Sequence, residues 1–333
     1  MTVGAQKLNG TASTRFLAWL FFIVAIAFAI VAGISQETFY LRLATEALIF
    51  SGIALSVDLL LGYTGLFSLG QALFFGMGAY LTALLLTEGS GYGFWSALGL
   101  SLLASTVVSL IIGAIAIRSK GVYFILITFG LAQVAGQSVY NTRSLGGSDG
   151  ITGIPVLDID FGFFNVNLGD PVSFFMLSLA FVLVLYLGLL YLTSTPFGRV
   201  LIAIRSNEER VRALGYNPWR YKLASYVIAA DVAALAGTLY PLLRGFVSPE
   251  LMYFDISVNA VIMVILGGTG TLIGPLYGSV FLIALKTFIS SWTLHHGIVI
   301  GIIFMLTVIF FPAGFVGLYK RLATAITRRG QTS

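Results

Sequence analysis

The sequence predicts an all-α integral membrane protein of about ten transmembrane helices, on the strength of three observations. Of its 333 residues, 58% are hydrophobic and only 9% are charged. The mean hydropathy of +0.98 makes a bilayer, not water, the natural solvent. Ten apolar runs also follow one another, at 16–34, 43–61, 71–87, 94–117, 122–140, 172–193, 223–241, 256–270, 272–290 and 297–316. Most approach the roughly 20 residues that a spanning helix requires. One transmembrane domain over 1–333 accommodates them all.

The first run, Phe16–Ile34, follows Lys7 and Arg15 and lacks a small-residue cleavage motif, so it reads as a first span and not as a signal peptide. Ten spans return both termini to one side. Fourteen cations then share that side: Lys7, Arg15, Arg118, Lys120, Arg199, Arg205, Arg210, Arg212, Arg220, Lys222, Lys320, Arg321, Arg328 and Arg329. Only four, Arg42, Arg143, Arg244 and Lys286, fall on the other. By the positive-inside rule both termini are expected in the cytoplasm. Two connections are long: a Gly- and Asp-rich periplasmic one at about 141–170, and a highly charged cytoplasmic one at about 194–222.

Several function classes are excluded by what is missing. There is no cysteine, hence no disulfide, thiolate metal site or cysteine nucleophile. No G-x-x-x-x-G-K-[ST] or H-E-x-x-H pattern occurs, so neither ATP binding through that loop nor hydrolysis at an H-E-x-x-H metal site is expected. The two histidines, His295 and His296, have no carboxylate at ligand-like spacing, and no metal or other cofactor is expected. The positive charge matches membrane topology better than nucleic acid, because the loops are too short for a reading surface.

Glycine interrupts the apolar pattern twice in the same way. Leu61-Gly62-Tyr63-Thr64-Gly65 returns as Leu266-Gly267-Gly268-Thr269-Gly270, a weak internal repeat at the inner ends of two spans. Gly-interrupted segments at corresponding positions mark transport paths, so Tyr63, Thr64, Gly65, Gln71, Gly267, Gly268, Thr269 and Gly270 are candidates for the translocation path. Tight turns or close helix contacts explain such glycines equally well. Three acids lie in or near apolar runs. Glu46 and Asp58 sit near span ends, where reaching the interface would suffice, and Asp231 is the deepest and joins the path candidates.

In the inner loop, Ser206-Asn207-Glu208-Glu209 has the form of a capping box, with Ser206 as the cap. Glu208 precedes Arg212 at the favourable i,i+4 spacing, Gly215 can end a helix, and Pro218 prevents its resumption. A helix of about two turns is therefore expected over 206–215, as a solvated connector or as a lever against a soluble partner.

Five blocks resemble one family: LGYTGLFSLGQA at 61–72, GSDGITGIP at 147–155, AIRSNEE at 203–209, LGYN at 214–217 and GFVSPEL at 245–251. They look like the branched-chain amino-acid permease family, specifically its LivM-type subunits, in order from about residue 44 to 316. Asp58 and Asp231 depart from that pattern, which bears on the solute, since urea and short-chain amide importers use similar permeases. The resemblance implies a multi-pass bacterial inner-membrane importer subunit, in contact with membrane lipid and not itself an enzyme. Its partners would be a second related permease, two ATP-binding subunits and a periplasmic solute-binding protein. Arg205, Ser206, Asn207, Glu208, Glu209, Arg212 and Gly215 would face the ATPases, and Ser148, Asp149 and Gly150 the binding protein. The competing class is an ion-coupled secondary carrier in which Asp58 and Asp231 hold the ion.

Overall fold

The computed structural model describes residues 12–35, 37–87, 92–155, 158–160, 165–292, 296–310 and 314–319. Helices dominate it. They are α1 (Ala12–Ile34), α2 (Thr38–Asp58), α3 (Gln71–Leu86), α4 (Phe94–Ala116), α5 (Val122–Asn141), α6 (Pro171–Ser194), α7 (Pro196–Ser206), α8 (Glu208–Ala213), α9 (Pro218–Arg244), α10 (Phe254–Gly267), α11 (Ile273–Ser290) and α12 (His296–Phe310). A π-helical turn, Leu59–Thr64, prolongs α2.

Among the described residues, seven helices are long and apolar enough to cross a membrane: α1, α2 with its π turn, α4, α5, α6, α9 and α11. The remaining predicted spans fall on shorter apolar helices, α3, α10 and the Gly297–Thr307 part of α12. At about 1.5 Å per residue, the 16 residues of α3 reach roughly 24 Å, short of a hydrocarbon core of about 30 Å.

Packing follows from side-chain size. Lipid tails are as apolar as leucine, so helices associate where small residues let backbones approach. Helix α2 lies at the centre, against α9, α11, α6 and α10, and α9 also packs on α3 and α4. A Cβ added at Gly237 of α9 would fall on the Phe75 carbonyl of α3, and one added at Gly78 of α3 on the Ala234 carbonyl of α9. On α4 the buried face is Ala97, Ser101, Ser105, Ser109 and Gly113, spaced by four. The opposite faces of α4 and α5 carry exposed Leu103, Val107, Ile111, Ile115, Leu126 and Val134, as lipid or a neighbouring chain would require.

Two details correct the expected architecture. The connection at 141–170 contributes three short strands to two antiparallel pairs. In one, β1 (Ile151–Thr152) meets β4 (Phe246–Val247); in the other, β2 (Asp158–Asp160) meets β3 (Asn165–Asn167). The connection at 194–222 is mostly helical, and Pro218 opens α9 where it was expected only to stop a helix. The Asn217 carboxamide caps it by accepting from the Trp219 amide at 3.2 Å. Proline suits the first helical position because its missing amide would have no partner there.

Candidate functional site

One end of the molecule gathers most of the sequence candidates. Helix α7 follows α6 across Thr195 and buries Leu201 and Ile204 while leaving Ala203, Arg205 and Ser206 exposed. Phe197 of α7 stacks on Tyr221 of α9, centroids 5.6 Å apart. Helix α8 then turns back, held by buried Val211. A groove of about 370 Å³ lies between the two, lined by Pro196, Arg199, Val200, Ala203, Val211, Leu214 and Tyr216.

The short helix is present with the expected C-terminus but a different start. Asn207, not Ser206, is the cap, its carboxamide oxygen accepting from the Arg210 amide at 2.9 Å. Ser206 closes α7 and donates its hydroxyl to the Ile202 carbonyl at 3.0 Å. Because α7 runs through Ser206, the first residue with non-helical backbone is Asn207, and only such a residue can aim its side chain at the free amides. At the other end Gly215 takes φ +89°. The Tyr216 amide donates to Val211 O and the Gly215 amide to Arg212 O, a Schellman ending. Arg212 Nη2 lies 3.3 Å from Glu208 Oε1, as the spacing foretold.

A contact the sequence did not reveal anchors α8: Lys222 Nζ donates to Glu208 Oε2 at 2.6 Å. Partial burial alone would raise the Glu208 pKa. The Lys222 hydrogen bond and charge, with Lys120 and Arg212, outweigh that and hold it below the usual range.

The two Gly-rich breaks meet directly above α7. Gly65 and Gly270 both adopt left-handed backbone, with φ +77° and +73°. Asp58, 0% exposed, joins the breaks: its Oδ1 accepts from the Gly270 amide at 2.6 Å and its Oδ2 from the Leu272 amide at 2.9 Å. The reading of Asp58 as a residue reaching the interface is thereby overturned, because the carboxylate is consumed by two buried amides that a turn cannot satisfy internally. Arg205 Nη1 donates to the Gly62 carbonyl. Thr64 donates to Ser225 of α9 at 3.3 Å. Tyr63, Thr64, Gln71, Gly267, Gly268 and Gly270 are buried, whereas Gly65 and Thr269 are exposed. Gln71 accepts from Ser56 at 3.4 Å, and its buried Nε2 has no partner among the described residues.

Asp231 is not part of this cluster. It is half-buried on α9 and accepts from Thr106 Oγ1 of α4, 3.1 Å from each carboxylate oxygen. Glu46, also read as reaching the interface, is paired with Arg244 of α9, 2.7 Å away. At the far end, Ser148 and Asp149 are exposed, the Ser148 hydroxyl donating to Asp149 at 3.0 Å. Gly150, with φ +72°, stands against the Val247 carbonyl, so two separate blocks of the family resemblance pack together there. Asp170 caps α6; hydrogen bonding from the Ser173 hydroxyl, with the Ser173 and Val172 amides, keeps its pKa low. His295 and the His296 side chain lie outside the described residues, and among those described no group of three metal-ligating side chains occurs.

Stacked apolar helices, helices cut short by Gly turns, and an amphipathic helix pair slung between two spans define a membrane transport permease. The chain belongs to the family of permease components of branched-chain amino acid transport systems, which matches residues 39–308. It is similar to the high-affinity branched-chain amino acid transport system permease protein LivM of Salmonella typhimurium, 31% identical over 294 residues, covering 82% of this chain and 69% of that one. The corresponding Escherichia coli protein is 28% identical over 317 residues, covering 89% and 74%. A ribose import permease protein, RbsC of Bacillus subtilis, is 32% identical over 160 residues, covering 44% and 47%. No solved structure matches the chain significantly.

Proposed function

We propose that this chain is the permease subunit of an ATP-binding-cassette importer moving branched-chain amino acids or similar small solutes across a bacterial inner membrane. Family membership over 39–308 carries the reading. The chain is a transport subunit; ATP is hydrolysed by two separate partner subunits, and a second permease and a periplasmic binding protein complete the importer. About ten spans result when α3, α10 and α12 are counted with the seven longer helices, and both termini are then cytoplasmic. The division of fourteen cations against four supports that orientation.

In this arrangement α8 is the lever. Its ends are fixed by Asn207 and by the Gly215 turn, and its body is tied to α9 through Glu208 and Lys222. A segment so constrained passes on displacement that a floppy loop would absorb. Asn207, Glu208, Glu209 and Arg212 face the ATPases, Arg205 is engaged by the Gly62 carbonyl, and Ser148, Asp149 and Gly150 face the binding protein. The Gly-rich turns border the solute route. The ion-coupled alternative loses support because Asp58 is engaged by two backbone amides and Asp231 binds a different helix.

The test is uptake by the complex reconstituted with its partner subunits and binding protein. Leucine uptake that requires ATP and withstands ionophores is the expected result. Uptake without ATP that collapses with an ion gradient would replace the proposal by the secondary carrier, and ATP-driven uptake of urea or acetamide but not leucine would reassign the solute. For topology, a cysteine at Ser148 should react with an impermeant reagent in spheroplasts and one at Ser206 should not.

A further inference from the structure

The junction beneath the Gly-rich turns has the form of a closed latch. Residues 59–64 leave α-helical bonding for a π turn, and α10 ends at Gly267 in a turn that returns through Leu272. The two turns touch backbone to backbone: a Cβ on Gly62 would lie 2.5 Å from the Gly270 nitrogen. Leu272 has φ +57°, and among the described residues it is the one non-glycine with positive φ. Such a conformation persists only where its surroundings impose it. Here the Leu272 side chain is 0% exposed and its amide is held by Asp58. π turns and strained positive-φ residues collect at functional sites, switch regions among them.

Arg205 bridges this junction from outside, in the last turn of α7. The carbonyls of a helix end lack intrahelical donors, and Arg205 supplies one to Gly62. Its stem covers Gly65, where an added Cβ would meet Arg205 Cγ at 2.9 Å. The Nη1 that binds Gly62 also lies 3.6 Å from the position of a Cβ on Gly270. One side chain thus reaches both turns, and a continuous path runs from Arg205 through Gly62 and Gly270 to Asp58. Arg205 is carried by α7, which is exposed at Pro196, Arg199 and Ala203 and is joined to α8 through Asn207.

Building on the permease reading, we propose that Arg205 is a positioning residue that keeps the 59–64 and 267–272 turns closed on each other, and that displacement of α7 and α8 withdraws it and frees them. It touches no solute. A static cap on the carbonyl end of the π turn is the contrasting role.

The experiment uses the whole complex in proteoliposomes with Thr269→Cys, an exposed position in a chain without native cysteine. The thiol-labelling rate is read with and without ATP plus vanadate, alongside uptake per ATP hydrolysed. With Arg205 present, the rate is expected to differ between nucleotide states. With Arg205→Ala it should be equally fast in both, and uptake per ATP should fall about tenfold, the scale of one charged hydrogen bond. Arg205→Lys, which keeps a donor but not the fork, should fall in between, and is read in place of Arg205→Ala if that variant fails to assemble. Nucleotide-dependent labelling with unchanged uptake per ATP in these variants would overturn the latch, even if less complex assembles, because that is the behaviour of a static cap. Nucleotide-insensitive labelling in the Thr269→Cys complex with Arg205 intact would overturn it too. Absence of ATP-driven uptake before any substitution is made would be a failure of the permease reading itself.

Discussion

Replacing Asp58 is the most direct probe of what fastens α2 to the α10–α11 turn. Its two oxygens accept from Gly270 N at 2.6 Å and Leu272 N at 2.9 Å, and the residue is 0% exposed. Asp58→Ala orphans both amides. A buried donor left unsatisfied costs about 1–3 kcal/mol, so roughly 2–6 kcal/mol is expected from the pair. Asp58→Asn keeps one acceptor but turns an NH2 group toward the second amide, for a loss of about 1–3 kcal/mol. Against this stands relief of the cost of burying a carboxylate, which can reach several kcal/mol. In the native protein two hydrogen bonds to the charged group, each contributing about 1.5–3 kcal/mol net, offset that cost, and the amides stay fixed by the turn and unpaired when the charge is removed, so the net sign is destabilising. The assay is the denaturation midpoint of the purified chain in detergent, with the order wild type above Asn above Ala. If Asp58→Asn were as stable as wild type or more so, the carboxylate would be contributing nothing and the fastening would have to be assigned to the glycine contacts.

Three further outcomes follow from local geometry. Asn207→Ala should cost about 1 kcal/mol of α8 stability and Ser206→Ala much less, read as hydrogen-exchange protection of residues 208–213; the reverse order would reinstate Ser206 as the cap. Glu208 has a folded pKa below its unfolded value, so its tie to Lys222 is fully present above the unfolded pKa and is lost as pH falls through the lowered folded one. Exchange protection of α8 should therefore drop only below the ordinary glutamate range, and the drop should vanish in Glu208→Gln. Gly237→Leu should sharply reduce folded protein in membranes, because any side chain there drives α9 off the Phe75 carbonyl, whereas Gly188→Leu, with no neighbour within 4 Å, should be harmless; equal yields would refute the close-packed contact.

The sequence alone determined the class of molecule. Hydropathy acts on each run by itself, so the positions of α1, α4, α5, α6 and α11 were legible without knowing what they touch. The family was legible too, since ordered blocks such as 203–209 and 245–251 are local strings. Local rules also supplied the Gly215 ending and the Glu208–Arg212 pair, which depend on a few consecutive residues. Where two local rules competed, the sequence misled: both Ser206 and Asn207 can cap, and the choice fell to Asn207 because α7 packs through Ser206 as helix. What only the tertiary structure decided are the partners of charge. Asp58 meets amides at 270 and 272, Glu46 meets Arg244, Glu208 meets Lys222, and Arg205 meets Gly62. Hydropathy assigns each of these groups the same cost. Whether it snorkels, pairs or ties two turns together depends on which backbone the packing of small residues brings within reach, and that is a property of distance in space that spacing along the chain does not encode.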